Sequence, residues 1–170
     1  MPKKAITESD VIDIDSYIKD RDSIKKKIKE HKNNRRVHVG PHATFYFESY
    51  DTMLYQVQEM LYIERGGREQ LKDELKAYNP LIPTGTSLVV TLMFEIDNPN
   101  VRKEFLNSIG GIEKNTFIQV CNHKIYSRAE DDTDRTNEEG KASSVHFLHF
   151  DFDESQIKLF SDMSSEVSLG

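Results

Sequence analysis

The chain has 170 residues, a mass of 19.7 kDa and a formal net charge of −6, with 36% hydrophobic and 31% charged residues, no tryptophan and one cysteine, Cys121. A lone cysteine excludes an internal disulfide and a Cys-rich metal site, and no apolar run approaches the roughly 18 residues that span a bilayer. The length suits one domain with its own core, and the charged start Met1–Asp10 lacks the apolar block of a signal peptide, so a cytosolic protein is expected.

The charge is unevenly spread. Residues 19–36 carry nine Lys and Arg against three Asp and Glu, a net of +6, which leaves −12 for the rest of the chain. A nucleic-acid binder using Lys25–Arg36 is one reading of that segment. The other is a solvated helix face, because Tyr17, Ile18, Ile24 and Ile28 recur at helical spacing through it. Asp13 or Asp15 is placed to cap this helix, which runs to about Asn33. Arg35–Val39 and Thr44–Glu48 then alternate as two strands about a four-residue turn, Gly40–Ala43. That turn sets Arg35 opposite Glu48 and His38 opposite Phe45, with Arg36, His38, Phe45 and Phe47 on one face.

Tyr50–Arg65 is the predicted central helix. Met53, Leu54, Val57, Met60 and Leu61 form one apolar face, and Tyr55, Tyr62 and Ile63 extend it round the cylinder, so little of the helix is expected to meet water. Gln56 and Glu59 lie one turn apart on this surface. A carboxylate taken out of water costs several kcal/mol unless it is paired, protonated or bound to a cation, so another part of the chain must answer Glu59.

Gly66-Gly67 leads into a helix over Arg68–Tyr78, and Asn79–Gly85 reads as an extended, proline-punctuated crossing. Thr86–Asp97 is the clearest strand, with Leu88, Val90, Leu92, Phe94 and Ile96 on one face and Val89, Thr91, Met93 and Glu95 on the other. The second face is mostly apolar, which places Glu95 near the interior. Asn98-Pro99 starts a helix through Leu106. Thr116–Cys121 and Lys124–Arg128 form a hairpin about Asn122-His123, with Ile118, Val120 and Ile125 inward. Residues 130–144 are acidic and aperiodic and read as a mobile loop. Val145–Phe152 is the last strand, with His146, Leu148, Phe150 and Phe152 on one face. Asp153 and Gln156 cap a short helix, and residues 163–170 read as a flexible tail. The fold class is α+β: one domain, a mostly antiparallel sheet of about five to six strands packed against several helices, including the central buried one.

The stretches RRVHVG, FES, YQVQEM, ELKAYNPLIP and SVHFLHF resemble an uncharacterised prokaryotic domain-of-unknown-function family, number 3501, over about residues 9–152. The residues that carry the resemblance are Arg35, Arg36 and Gly40; Phe47 and Glu48; Tyr55, Gln56, Glu59 and Met60; Tyr78, Asn79, Pro80, Leu81 and Pro83; Thr91 and Glu95; and Val145, His146 and Phe147. At position 149 the family pattern has Arg more often, whereas this chain has His149. Members look like genomic companions of rubrerythrin-type di-iron proteins and Cys-rich iron–sulfur proteins. The resemblance therefore implies a role in peroxide or iron handling, as part of oxidative-stress metabolism.

Two readings of the polar residues follow. In the first, Glu48, Glu59, Glu95 and His146 gather as a binding cluster supported by Arg36 and Gln56, a donor set suited to Fe, Mn or Zn in a metal-binding protein or small metalloenzyme. In the second, Arg35 or Arg36 pairs with Glu48, a tyrosine or backbone donor serves Glu59, and His146 is a satisfied sheet histidine. The second reading leaves a non-catalytic partner protein, which docks another chain through the Pro80–Pro83 crossing or a sheet edge. His38-x-x-x-His42 spans the predicted turn, so its rings need not converge. Asp132-x-Asp134 lacks the Gly and the terminal acid of a calcium loop, since Asn137 and Ser143 stand there.

Overall fold

The computed structural model describes residues 3–130 and 141–170. The expected loop at 130–144 thus falls largely outside the described residues. Among those described, the chain is α+β, with five α-helices and two antiparallel sheets. It divides into two compact units, each made from two stretches: Met1–Arg36 with Phe47–Thr84, and Val37–Tyr46 with Gly85–Gly170.

The first unit is helical. Helix α1 spans Ile14–Asn33, and Asp13 caps it by accepting from the Ser16 amide at 2.9 Å. Helix α2 spans Tyr50–Glu64; Ser49 and Thr52 cap it reciprocally, and Arg65 ends it in the left-handed region at φ 54°. The two helices run antiparallel, since Tyr17 and Arg21 near the start of α1 reach Glu59 late in α2, while His31 near the end of α1 reaches Ser49 at 3.0 Å. Tyr17, Met53, Val57 and Leu61 are buried. Removing a side chain such as Val57 from water stabilises the unit by roughly 1.5–3 kcal/mol.

Helix α3, Gly67–Tyr78, is followed by a short 3-10 turn at Asn79–Leu81. The crossing expected to be extended from Asn79 is therefore tightly turned at its start, because the Asn79 side chain pairs with both backbone groups of Ile6 at 2.7 and 3.0 Å. Leu81 and Ile82 are each only 2% exposed and belong to the core, while Pro80 is exposed and Pro83 half-buried. Helix α2 is likewise less enclosed than its composition predicts. Leu54 and Tyr55 are half-buried, and Ile63 is 65% exposed.

All strand residues but Arg36 and Phe47 belong to the second unit. In chain order the strands are β1 (Arg36–Val39), β2 (Ala43–Phe47), β3 (Ser87–Phe94), β4 (Phe117–Val120), β5 (His123–Tyr126), β6 (Arg128–Ala129), β7 (Val145–Asp151) and β8 (Val167–Leu169). They form a five-stranded sheet in the order β1-β2-β3-β7-β6 and a three-stranded sheet in the order β5-β4-β8, two sheets where the sequence suggests one. In the larger sheet Leu88, Val90 and Leu92 face Phe150, Leu148 and His146, which is the partition of faces that the alternation predicts. Such cross-strand pairs each contribute roughly 0.2–1 kcal/mol.

Four local expectations are corrected. The β1–β2 turn holds three residues, Gly40, Pro41 and His42, rather than four, with Gly40 in the left-handed region at φ 63°. A one-residue change in register moves side chains to the opposite face, so His38 Nδ1 meets Thr44 Oγ1 at 2.9 Å instead of lying opposite Phe45. In the second hairpin Val120 pairs with His123, leaving Cys121-Asn122 as the turn, with Cys121 at φ 51°. The end of the chain is paired rather than loose: β8 lies against β4, and the Gly170 and Phe117 backbones exchange hydrogen bonds at 2.7 and 3.0 Å. Ala142, within the segment expected to be a mobile loop, is buried, and its amide donates to the Leu106 carbonyl at 2.9 Å.

Candidate functional site

Glu59 is answered by α1. Arg21 grips the carboxylate with both arms, Nε to Oε1 at 2.8 Å and Nη2 to Oε2 at 2.9 Å, and the Tyr17 hydroxyl donates to Oε1 at 2.5 Å. The fork of a guanidinium matches both oxygens of a carboxylate, and the fixed geometry makes this stronger than a point-charge contact. With the Glu59 side chain only 12% exposed, the pairing with Arg21 first, and the tyrosine bond after it, holds its carboxyl below the usual range against the opposing effect of burial. Burial first, and then the bond to Glu59, pushes the Tyr17 hydroxyl up. The Tyr62 ring completes the arrangement, lying 4.5 Å from the Arg21 guanidinium carbon and edge-on to Tyr17 with centroids 6.1 Å apart.

Beside this network an open groove of about 450 Å³ runs between α1 and α2. Its apolar walls are Ile24 and Ile28 of α1 and Leu54 of α2, with Ile12 from the segment before α1 and the rings of Tyr17 and Tyr55. Gln58 fixes that segment, its side-chain amide meeting the Ile12 carbonyl at 3.0 Å and its carbonyl the Ile12 amide at 3.2 Å. Lys27 and His31 line one edge, and the Lys32 ammonium lies 5.6 Å from the centre of the Tyr55 ring. Asp10 and Asp51 also line the groove; Asp10 is bonded by Lys3 and by the Thr7 amide, and Asp51 sits in the first turn of α2, where the helix dipole favours a negative charge.

The six residues singled out in the sequence are distributed as follows. Arg36, Glu48, Gln56 and Glu59 belong to the first unit, and Glu95 and His146 to the second. Glu48 is 8% exposed and accepts from the Thr52 hydroxyl at 2.5 Å. The Gln56 amide reaches toward the Tyr78 hydroxyl at 3.5 Å, and Arg36 is exposed at the start of β1. Glu95 is exposed rather than interior, because its face of the strand is only half-covered at Thr91 and Met93 and open beyond them, while Ile96 on the other face stays buried; the Tyr46 hydroxyl approaches its carboxylate at 3.4 Å. His146 is fully buried, donates from Nε2 to the Ser143 carbonyl at 2.7 Å, and lies edge-on to Phe94. Among the described residues no three His, Cys, Asp or Glu side chains converge as a metal-binding group.

Arg21 is the residue that the sequence reading missed. The signal was present: Tyr17, Arg21, Ile24 and Ile28 share one stripe of α1, so Arg21 belongs with the inward residues rather than with the basic face. His149, the departure from the family pattern, is 6% exposed and pairs through Nε2 with the Glu130 carboxylate. His38 bonds Thr44, whereas the His42 ring packs on Phe105 at 5.0 Å, so the two histidines serve different partners.

The family model described as a protein of unknown function, DUF3501, matches residues 5–170. In structure the chain is similar to a novel protein of unknown function from Burkholderia pseudomallei K96243, at 32% identity over 98% of this chain and 86% of that one, with a TM-score of 0.89. A search of curated proteins found no match. Among the described residues no helix is long and apolar enough to cross a membrane. The motifs spread along the sequence and the match across nearly its whole length agree, and the chain belongs to the DUF3501 family.

Proposed function

We propose that this chain is a non-catalytic accessory protein whose α1/α2 groove receives a segment of a partner chain, the expected partner being a rubrerythrin-type di-iron protein or a Cys-rich iron–sulfur protein. The observation that carries this reading is the groove itself. Its walls are mostly aliphatic and aromatic side chains, with Ile24, Ile28, Leu54 and Tyr55 half-buried, while the polar groups beside it, Glu59, Arg21 and the Tyr17 hydroxyl, are already bound to one another. Binding sites of this kind are concave and mostly apolar, with a few polar groups that fix orientation. The reading also accounts for α2 carrying more apolar surface than its own core uses. The identity of the partner rests on the family resemblance, and docking through the groove rests on geometry.

The test is titration calorimetry of the purified chain against each class of redox protein, with Leu54→Asp as the groove variant and elemental mass spectrometry of the untagged protein alongside. A complex with native protein that weakens at least about tenfold in the variant, equivalent to about 1.4 kcal/mol, supports the proposal. Binding of neither class overturns the partner assignment. Stoichiometric Fe, Mn or Zn that is lost in Glu59→Ala would replace this reading with the metalloprotein one.

A further inference from the structure

We infer that the segment received in the α1/α2 groove is an acidic amphipathic helix of the partner chain. The inference rests on the docking reading above and specifies the chemistry of the occupant. On α1 the groove is lined at Tyr17, Ile24, Ile28 and His31, and on α2 at Asp51, Leu54, Tyr55 and Gln58. The first set is spaced by seven, four and three residues and the second by three, one and three, so α1 presents one stripe along most of its length and α2 one along its first half. Two antiparallel helices with facing stripes form a trough of the kind that a third helix fills, contributing apolar side chains at its own i, i+3 or i+4 and i+7 positions. At about 1.5 Å of rise per residue, the lining extends roughly 20 Å along α1 and roughly 10 Å along α2, which suits about two to four turns of an incoming helix.

Charge selects the occupant further. Lys27 and His31 line the groove, Lys32 stands over the Tyr55 ring at its edge, and residues 19–36 carry a net +6 in a chain of −6. The two carboxylates at the groove are accommodated by their own surroundings, Asp10 by Lys3 and Thr7 and Asp51 by the start of α2. An incoming helix therefore meets apolar walls with the Lys27 ammonium in the lining and the Lys32 ammonium beside Tyr55, and one with carboxylates bordering its apolar stripe gains attraction from these as well as burial at the centre. A basic helix would meet like charges there. Duplex nucleic acid would be drawn to the same lysines, but it has no apolar stripe to place against Ile24, Ile28 and Leu54.

Fluorescence anisotropy of the full chain with two labelled synthetic peptides of about 18 residues tests this, each having Leu on one helical stripe and either Glu or Lys elsewhere. The expected result is that the Glu peptide binds at least about tenfold more tightly than the Lys peptide, that Leu54→Asp abolishes the binding, and that Lys27→Glu weakens the Glu peptide severalfold. Lys27 is exposed, so its variant reads charge without disturbing the fold. Equal binding of both peptides, or of neither, overturns the inference. So does a duplex DNA probe that binds more tightly than the Glu peptide with an affinity that falls steeply with salt. If a redox protein binds through Leu54 but is indifferent to Lys27→Glu, the docking reading stands and the acidic helix fails; if the Glu peptide binds as expected while no redox protein does, the acidic helix stands and the partner assignment fails.

Discussion

Two stripes of α2 face α1, and they are finished differently. On one, Glu59 is closed by Arg21 and Tyr17 at hydrogen-bond distance, with Tyr62 stacked against the guanidinium. On the other, Leu54 stays half-buried and lines the groove together with Ile24 and Ile28, and about 450 Å³ between the helices is open. The closed stripe fixes how the helices pair, because a bidentate ion pair tolerates little sliding along the helix axis. The open stripe contributes less to holding the unit together, and that is what leaves it available. Charge at the closed stripe thus sets the geometry, and apolar surface at the open one supplies the capacity to bind.

The largest effect on this contrast should come from Arg21→Ala. It leaves Glu59 mostly out of water without its bidentate partner, and removing one member of such a pair costs about 2–3 kcal/mol, less than a fully buried pair because Arg21 remains partly exposed. Urea denaturation measures it. Arg21→Lys should recover less than half, since an ammonium cannot grip both oxygens. The pH dependence has a defined sign. The carboxyl of Glu59 is held down in the folded state, so its contribution is present above the ordinary carboxylate range, about 4.5, and is lost as pH falls through the lower folded value. Denaturation curves collected downward from pH 6 should show this acid limb in the native protein and a shallower one in Glu59→Gln. An identical limb in both would mean that other carboxylates govern acid unfolding.

Tyr17→Phe should have a smaller effect, about 1–1.5 kcal/mol, because it removes one bond to a carboxylate still held by Arg21. A double-mutant cycle with Arg21→Ala sharpens the comparison. If Tyr17 and Arg21 act on Glu59 as a unit, the two losses will not add, whereas independent packing roles would leave them additive within about 0.5 kcal/mol.

The sequence made some of this contrast legible. Asp13 and Asp153 stand where caps belong, so those two helix starts could be placed within a residue or two, and the alternation through Val90 and Leu148 assigned the faces of β3 and β7 correctly. That Glu59 required a partner also followed from its apolar surroundings. The identity of the partner did not, because Arg21 is 38 residues away and its position depends on the antiparallel docking of two helices. Turn length was similarly hidden: one residue fewer in the Gly40–His42 turn displaced the register on which the expected faces of the first hairpin depended. The groove was least legible. Periodicity shows how much apolar surface a helix carries, and on α2 it shows an excess, but whether that excess is covered depends on where neighbouring elements stop.

Leu54→Asp gives the smallest expected change in stability and the most informative one. Leu54 is half-buried on an open wall, so placing a carboxylate there should cost no more than about 0.5–1 kcal/mol, because water can still solvate the charge; a Leu sealed in a core would lose about 2–5 kcal/mol on truncation alone. A loss of that larger size would mean that the groove is closed in solution and that both stripes serve the core. A small loss, with the helical circular dichroism of the native chain retained, would mean that the Leu54 surface is not needed to hold α1 against α2. The two stripes would then differ in purpose as well as in chemistry, since a side chain that contributes little to its own fold leaves its contact free energy for whatever docks against it.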